Sequence, residues 1–220
     1  MLKLIAFDLD GTVANTLADL AAAVNFALSQ QKLPGYDVEE YRYLVGNGVD
    51  KLMRDAMGSA FTPEGAERLK SDFQSYYASH CLDFTVPYDG VAELLARLSS
   101  DGYMTAVVSN KPDRFVPEIL SALYPSHRFI AAHGQQPDIP RKPDPTALVK
   151  LMECCGVKES ETLYIGDSNV DVVFAHNAGV KVCGVSWGFR GAGELTAAGA
   201  DHIADTPSEL YNIINEYRNE

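Results

Sequence analysis

The chain has 220 residues, which is long enough for one substantial core or for a core domain with a smaller companion. Its composition, 46% hydrophobic and 22% charged, is typical of a globular protein. Its formal net charge of −12 argues against nucleic acid or an anionic membrane surface as a partner. No apolar stretch approaches the roughly 20 residues that a membrane span needs, and the first apolar run is too short for a secretory signal.

The first predicted element is the apolar run Leu4–Phe7, which is typical of a buried parallel strand. Asp8 and Asp10 follow it, and Gly11 and Thr12 come next. Two carboxylates so close together raise each other's pKa unless a cation meets them. A divalent metal ion at the end of this strand is the simplest explanation.

Only helical patterns occupy residues 14–84. They are LADLAAAVNFALSQQ, VEEYRYLVG, GVDKLMRDAMG and PEGAERLKSDFQSYYASHCL. Such an insertion, about seventy residues long, exceeds an ordinary connection between strands. We expect a small, all-helical cap domain over the carboxyl edge of a sheet, with hinges near Val13–Asn15 and Phe84–Tyr88.

Strand and helix patterns alternate through the rest of the chain. The further strand candidates lie in MTAVVSNK, RFIAAHG, TLYIGDSN and VCGVSWG. Alternation of this kind predicts an α/β fold with a doubly wound parallel sheet, covered on both faces by helices. The predicted core domain comprises residues 1–13 and 85–220, and the cap domain comprises residues 14–84.

The four cysteines lack the spacing of a metal-binding set. Cys154 and Cys155 adjoin in an apolar helical pattern, so we expect them to be buried free thiols. Free thiols are typical of a reducing compartment, and we therefore expect a cytoplasmic protein.

Polar residues gather at the predicted strand ends, where open parallel sheets bind ligands. They are Asp8, Asp10, Ser109, Asn110, Asp167, Ser168 and Asp171. Lys142 lies in the loop PRKPDP, just before another helix. Carboxylates, a hydroxyl, an amide and a lysine suit a phosphate ester held on Mg²⁺, a hard cation that takes oxygen ligands.

Taken together and in this order, the segments DLDGT, SN, KPDP and GDSNVD resemble the four motifs of the haloacid dehalogenase superfamily of phosphotransferases. The resemblance covers nearly the whole chain. The helical insertion also lies where members capped after the first strand have theirs. The resemblance implies a Rossmann-like core with a mobile cap.

The resemblance also implies roles. Asp8 would be the nucleophile that forms an aspartyl-phosphate, and Asp10 would be the general acid and base. Residues two apart on an extended strand point to the same side, so both can address one phosphorus atom. Mg²⁺ would be held by Asp8, by the backbone carbonyl of Asp10 and by Asp167. Asp171 is a further candidate for the metal site, or it orients Lys142 or a water.

The remaining core motifs would bind the transferring phosphoryl group. Ser109, the amide of Asn110 and Lys142 would contact its oxygens. Thr12 would add a hydrogen bond near Asp10. A carboxylate at position 10 favours phosphate esters, because the dehalogenases of the superfamily lack one there.

The cap segment YLVGNGVDKLM resembles the VGNG substrate loop of phosphoglycolate phosphatases. This resemblance implies that Gly46, Asn47 and Gly48 present backbone amides at a helix N-terminus to a substrate carboxylate, with Lys51 or Arg54 nearby. The alternative is a plain turn between helices.

We therefore expect a Mg²⁺-dependent phosphatase that hydrolyses a small phosphomonoester. The leading candidate for this substrate is 2-phosphoglycolate. The alternatives are a pyrophosphatase, which Asn15 leaves open, and a broad-range sugar-phosphate or nucleotide phosphatase. A non-catalytic protein that binds phosphorylated ligands is the alternative from another class. The expected partner is a small phosphorylated metabolite, and we expect neither nucleic acid nor a membrane as a partner. The chain would be a monomer or a homodimer.

Overall fold

The computed structural model describes residues 1–217, so the last three residues of the predicted core domain lie outside the described part. Its strands are β1 (Leu4–Phe7), β2 (Ala14–Asn15), β3 (Val86–Pro87), β4 (Met104–Pro112), β5 (Ala131–Gln135), β6 (Thr162–Gly166), β7 (Lys181–Val185) and β8 (His202–Ala204). Six of them form a parallel sheet in the order β5-β4-β1-β6-β7-β8, and β2 pairs with β3 separately.

The α-helices are α1 (Leu17–Gln30), α2 (Val49–Met57), α3 (Pro63–His80), α4 (Val91–Ser100), α5 (Phe115–Leu123), α6 (Thr146–Cys155), α7 (Asn169–Asn177), α8 (Gly191–Ala198) and α9 (Pro207–Glu216). Short 3₁₀ helices cover Val38–Tyr43, Gly58–Ala60 and Glu159–Glu161. The predicted α/β class is confirmed. Sequence patterns missed the short strands β2, β3 and β8 and the helix α8, because two or three strand residues and a glycine-rich helix carry too little periodicity. In the described part of the chain, no helix combines the length and the apolar character that crossing a membrane requires.

The central strand β1 is buried on both faces, and its side chains alternate between them. Ile5 and Phe7 join one hydrophobic cluster, which is completed by α4, α5, α9 and the helices of residues 14–84. Leu4 and Ala6 join a second cluster, formed with α6, α7 and α8. Four consecutive apolar residues are needed here because both faces of the strand lie in a core.

The order of the strands places a crevice beside β1. Along the chain, β4 and β5 lie on one side of β1, and β6, β7 and β8 lie on the other. Open parallel sheets bind ligands at the carboxyl ends of strands where the order reverses in this way. The residues that follow β1, β4 and β6 therefore meet at one edge.

The helices α1, α2 and α3 form a layer above this edge. The chain enters the layer through β2 and returns through β3, which pair in antiparallel fashion where the hinges are predicted. Buried side chains of the layer, among them Leu28, Met53 and Phe73, belong to the same hydrophobic cluster as Phe7 of β1. The division of the chain into a cap domain and a core domain stays a prediction.

Asp19 on α1 fastens the returning segment. Its carboxylate accepts hydrogen bonds from the backbone N–H groups of Phe84 and Thr85 and from the hydroxyl of Thr85, at 2.7 to 3.1 Å. The residue is 1% exposed. A buried carboxylate that accepts several hydrogen bonds holds this segment strongly against α1, because each hydrogen bond is charge-assisted.

The prediction that Cys154 and Cys155 are buried is wrong. Cys154 is exposed and Cys155 is half-buried, while Cys81 and Cys183 are buried. The buried face of α6 consists of Leu148, Leu151 and Met152, so the last turn of the helix points its cysteines outward.

We predict that Asp19→Ala lowers the free energy of unfolding by about 3 kcal/mol, because three buried donors lose their acceptor. Urea unfolding followed by circular dichroism measures the change. Asp89→Ala, at an exposed position of the same segment, should shift stability by no more than about 0.5 kcal/mol. Equal losses in the two variants would contradict the role of Asp19.

We also predict a fixed order of thiol modification. Iodoacetamide should label Cys154 first and Cys155 more slowly, because burial raises the pKa of the Cys155 thiol. Cys183 should react only after unfolding, because burial raises its pKa to about 12. Mass spectrometry of digests taken over time gives the order, and early labelling of Cys183 in the folded protein would contradict it.

Candidate active site

Glycines let the loops beyond the strands approach each other closely. Gly11 has a φ of +82°, and a Cβ atom there would collide with the carboxylate of Asp167. A Cβ atom on Gly188 would collide with Asp167 as well, and one on Gly166 would collide with Asp171. Only glycine allows these approaches. The sharp turn at Gly11 agrees with its position in DLDGT.

Lys142 contacts two aspartates and a tyrosine. Its Nζ lies 3.0 Å from Asp8 Oδ1 and 2.7 Å from Asp171 Oδ1, and it donates to the hydroxyl of Tyr164 at 3.0 Å. These three partners use all three protons of the ammonium group. The Tyr164 hydroxyl in turn donates to the backbone carbonyl of Val108 at 3.0 Å. Sequence reasoning missed Tyr164, because it lies within the buried strand β6 and belongs to no motif.

An oxygen atom of each of Asp8, Asp167 and Asp171 lies within 4.8 Å of the others, and we call these three residues the acidic cluster. Burial raises the pKa of Asp8 to about 6, although the ammonium of Lys142 lowers it. Burial and the two neighbouring carboxylates raise the pKa of Asp167 well above its usual range. Burial alone would lower the pKa of Lys142, but Asp171 and Asp8 outweigh it and the net shift is upward.

The acidic cluster fits a divalent cation. Asp8 Oδ1 accepts a hydrogen bond from the N–H of Leu9 at 2.7 Å, and Asp167 Oδ2 accepts one from Phe189 at 2.7 Å. Within residues 1–217, the second oxygen of each of these carboxylates accepts no hydrogen bond. Carboxylate oxygens of this kind are the ligands that Mg²⁺ prefers.

Asp171 differs from the other two members of the acidic cluster. Its Oδ1 accepts from Lys142, and its Oδ2 accepts from the backbone N–H and the hydroxyl of Ser168, at 3.2 and 2.7 Å. Both oxygens are therefore engaged by the protein. The contacts favour the second alternative for Asp171, which is to orient Lys142.

Asp10 has a separate set of partners. Its carboxylate lies 2.9 and 3.3 Å from the Nζ of Lys111 and accepts a hydrogen bond from the hydroxyl of Thr16 at 2.6 Å. Sequence reasoning missed both partners. Lys111 directly follows the SN motif, and that position is the one signal that marks it.

Thr12 does not reach Asp10. The turn that begins at Leu9 reverses the chain, with the N–H of Thr12 bonded to the carbonyl of Leu9 at 3.2 Å. The Thr12 side chain is buried by this reversal, and its hydroxyl has no hydrogen-bond partner among the described residues. Thr16, at the start of α1, supplies the hydroxyl that was expected from Thr12.

The residues that end β4 serve two purposes. The amide of Asn110 donates to the backbone carbonyls of Gly46 and Lys142, both at 3.1 Å, and its oxygen accepts from the N–H of Lys142 at 2.8 Å. Asn110 thus joins the cap loop to the loop that carries Lys142. The Ser109 hydroxyl accepts from the N–H of Lys111 at 3.3 Å, which leaves its own proton available to a ligand.

A cavity between the sheet edge and the cap is lined by some of these residues, while Lys142, Asp167 and Asp171 lie outside its lining. Its lining comprises Asp8, Asp10, Ser109, Asn110, Lys111 and Pro112 from the core, and Leu20, Val45, Gly46, Gly48, Val49, Leu52, Phe73 and Tyr77 from the cap. The core side is polar and the cap side is mostly apolar. Both aspartates of DLDGT therefore face the same space.

The predicted cap residues divide into two groups. Gly46 and Gly48 line the cavity, with φ values of +102° and +83°, and α2 begins just after Gly48. Asn47 does not line it. Lys51 lies on the outer face of α2, where it pairs with Asp55 at 2.5 Å. Arg54, the alternative to Lys51, lies over the ring of Phe61, 5.3 Å from its centroid.

Comparisons with known proteins agree with this geometry. A family profile described as "Haloacid dehalogenase-like hydrolase" matches residues 5–185. The chain is 36% identical over 219 residues to a phosphoglycolate phosphatase of Vibrio parahaemolyticus serotype O3:K6, covering 97% of this chain and 96% of that protein. It is 35% identical to a phosphoglycolate phosphatase of Mannheimia succiniciproducens, covering 96% and 98%. A solved structure of a predicted phosphoglycolate phosphatase from Haemophilus somnus superposes with a TM-score of 0.90 at 34% identity, covering 97% and 98%.

We predict that Tyr164→Phe lowers kcat several-fold and lowers the free energy of unfolding by about 1 to 2 kcal/mol. The change leaves one Lys142 proton and the Val108 carbonyl without a partner, so the ammonium is held less firmly. Tyr36→Phe is a matched control, since its hydroxyl also donates to a backbone carbonyl, that of Ala56, at 2.9 Å. It should lower stability and leave kcat unchanged. Steady-state kinetics and urea unfolding test both variants, and an unchanged kcat in Tyr164→Phe would contradict the positioning role.

Proposed function

The chain belongs to the haloacid dehalogenase-like hydrolase family and is a phosphoric monoester hydrolase, and we propose that its substrate is 2-phosphoglycolate. Two observations support this substrate. The relatives named as phosphoglycolate phosphatases align with almost the whole chain, cap included. The observation that carries the proposal is the cavity, where Asp8, Asp10 and the buried Lys111 face one small space.

The proposed first step is attack by Asp8 on phosphorus. An oxygen of the Asp8 carboxylate forms a bond to phosphorus while the bond from phosphorus to the glycolate oxygen breaks, which yields an aspartyl-phosphate. The contact between Lys142 and Asp8, at 3.0 Å, supports this step, because the ammonium reduces the repulsion between an anionic nucleophile and an anionic ester.

Asp10 would transfer the proton in both steps. It gives its proton to the departing glycolate oxygen, and it later takes one from the water that attacks the aspartyl-phosphate. The second step releases inorganic phosphate and restores the Asp8 carboxylate. The lining of one cavity by Asp8 and Asp10 supports these roles. The hydrogen bond from Thr16 would hold the Asp10 carboxylate in place between the two steps.

The phosphoryl oxygens would be bound by the hydroxyl of Ser109, by backbone N–H groups near Asn110 and by Lys142, which would exchange one of its present contacts for a phosphoryl oxygen. Asn110 itself would act mainly by joining the cap loop to the core, which its three hydrogen bonds support. Gly46 and Gly48 would shape the cap side of the cavity.

Mg²⁺ is the proposed cofactor. Asp8, Asp167 and the backbone carbonyl of Asp10 would hold it, and Asp171 would position Lys142. When bound, the ion neutralises the charge of the transferring phosphoryl group. The free oxygens of Asp8 and Asp167 within the acidic cluster support this assignment.

Residues 14–84 would act as a cap that opens to admit substrate and closes to shelter the aspartyl-phosphate from unwanted water. The paired strands β2 and β3 support a hinge at the two crossings. A cytoplasmic location is supported by the four free cysteines. The chain would act as a monomer or a homodimer on a small metabolite.

We predict release of phosphate from 2-phosphoglycolate at a rate well above that from pyrophosphate, hexose phosphates and nucleoside monophosphates. A chelator should abolish turnover, and added Mg²⁺ should restore it. Asp8→Asn should lower kcat by at least about 10³-fold, because the nucleophile is lost. A phosphate-release assay over the panel measures all three effects.

Different outcomes of this panel contradict different parts of the proposal. Turnover concentrated on pyrophosphate or spread over the panel would contradict the substrate and keep the mechanism. Turnover that survives both the chelator and Asp8→Asn would contradict the mechanism.

A further inference from the structure

Lys111 is a buried cation in the cavity to which none of the four sequence motifs assigns a role. We propose that Lys111 binds the carboxylate of the leaving group and thereby makes the enzyme selective for phosphate esters of small hydroxy acids. The inference rests on the proposed function and deepens it, because it assigns a residue to substrate selectivity.

The position of Lys111 carries the proposal. Its side chain is 2% exposed, and its Nζ lies 2.9 and 3.3 Å from the two oxygens of Asp10. The ammonium group also lies over the ring of Tyr77, with 4.7 Å between the Nζ and the ring centroid. A lysine is buried this deeply only when charged partners compensate for the lost water.

The reach of Lys111 matches a short leaving group. Asp10 is the proposed proton donor to the ester oxygen, so the Nζ that touches Asp10 also lies close to that oxygen. In 2-phosphoglycolate a single methylene separates the ester oxygen from the carboxylate. The carboxylate therefore falls beside Lys111, whose three protons allow it to contact Asp10 and the substrate together.

The rest of the cavity offers a carboxylate no comparable partner. Lys111 is the single cationic side chain among the lining residues within the described chain. The cap contributes apolar walls, among them Leu52 and Phe73. A carboxylate placed against these walls without Lys111 would be a buried, uncompensated charge. Sugar hydroxyls would likewise find few hydrogen-bonding groups on the cap side.

Other cations near the cap, Arg141 beside Gly48 among them, lie outside the cavity lining. Lys51 pairs with Asp55 at 2.5 Å, and Lys70 pairs with Asp50 at 2.7 Å, both outside the cavity lining. Arg190 donates to the backbone carbonyl of Val45 at 3.0 Å and so holds the cap loop. Within the described chain, Lys111 is the cation that both lines the cavity and contacts Asp10, and it is therefore the candidate for recognising a second anionic group.

The test compares two esters of nearly the same size and shape, 2-phosphoglycolate and 2-phosphoglycolamide, in which a neutral amide replaces the carboxylate. We expect the wild-type enzyme to prefer the acid by kcat/KM. Lys111→Met keeps the length of the side chain and removes its charge. We expect it to lower the acid-to-amide ratio of kcat/KM by about 10- to 100-fold, the range of a charge-assisted hydrogen bond.

The ratio separates recognition from structure. Loss of the contact with Asp10, or a partly unfolded population, affects both esters equally and cancels in the ratio. Lys111→Arg should retain most of the preference, because it keeps the charge. Lys70→Met, the same substitution at a lysine outside the cavity, should leave the ratio unchanged and so exclude a general effect of net charge.

If Lys111→Met has too little turnover for steady-state kinetics, a binding measurement replaces the ratio of kcat/KM values. Calorimetric Kd values of the two esters would be compared between Asp8→Asn and the double variant Asp8→Asn, Lys111→Met. We expect the acid to lose its advantage over the amide in the double variant. Equal advantage in both would overturn the assignment of Lys111.

The outcomes also separate this inference from the proposed function. An active wild-type enzyme whose ratio survives in Lys111→Met, or falls equally in Lys70→Met, overturns the role of Lys111 and leaves the substrate intact. A wild-type enzyme that prefers the amide, or hydrolyses neither ester while turning over other phosphates, overturns the proposed substrate and this inference with it.

Discussion

The constraint on which the site depends is the burial of like charges at one edge of the sheet. The acidic cluster and Asp10 bring four carboxylates together, while Lys142 and Lys111 supply two ammonium groups. The formal balance is −2, which one divalent cation neutralises. Burial makes this balance necessary, because an uncompensated charge in an environment of low dielectric is far more costly than one in water.

In the proposed mechanism, the two lysines serve different parts of the substrate. Lys142 contacts Asp8, the proposed nucleophile, and is held by Asp171 and Tyr164 from the face of the sheet that carries α6 and α7. Lys111 contacts Asp10 on the side that faces the cap. Lys142 would thus serve the phosphoryl group, and Lys111 would lie beside the departing leaving group.

The cap completes the cavity with a different kind of surface. Its apolar side chains cover the polar strand ends, and they share a hydrophobic cluster with the sheet. Hydrogen bonds join the two layers at Gly46 and Val45, where backbone carbonyls accept from core side chains. In the proposed mechanism, a cap held by a few such bonds and by apolar contact would exclude water during turnover.

The sequence by itself determined the fold class, the family and the aspartates of the site, because these depend on patterns local to the chain. The first ten residues are enough to predict a buried strand followed by Asp8 and Asp10. Only the tertiary structure decided which groups these carboxylates meet. Lys111 and Asp10 form an ion pair although they are 101 positions apart. Thr16, rather than the expected Thr12, donates a hydrogen bond to Asp10, because of a turn whose direction no local pattern specifies. Such pairings arise when strands are ordered in a sheet, and that order is set by packing throughout the whole chain.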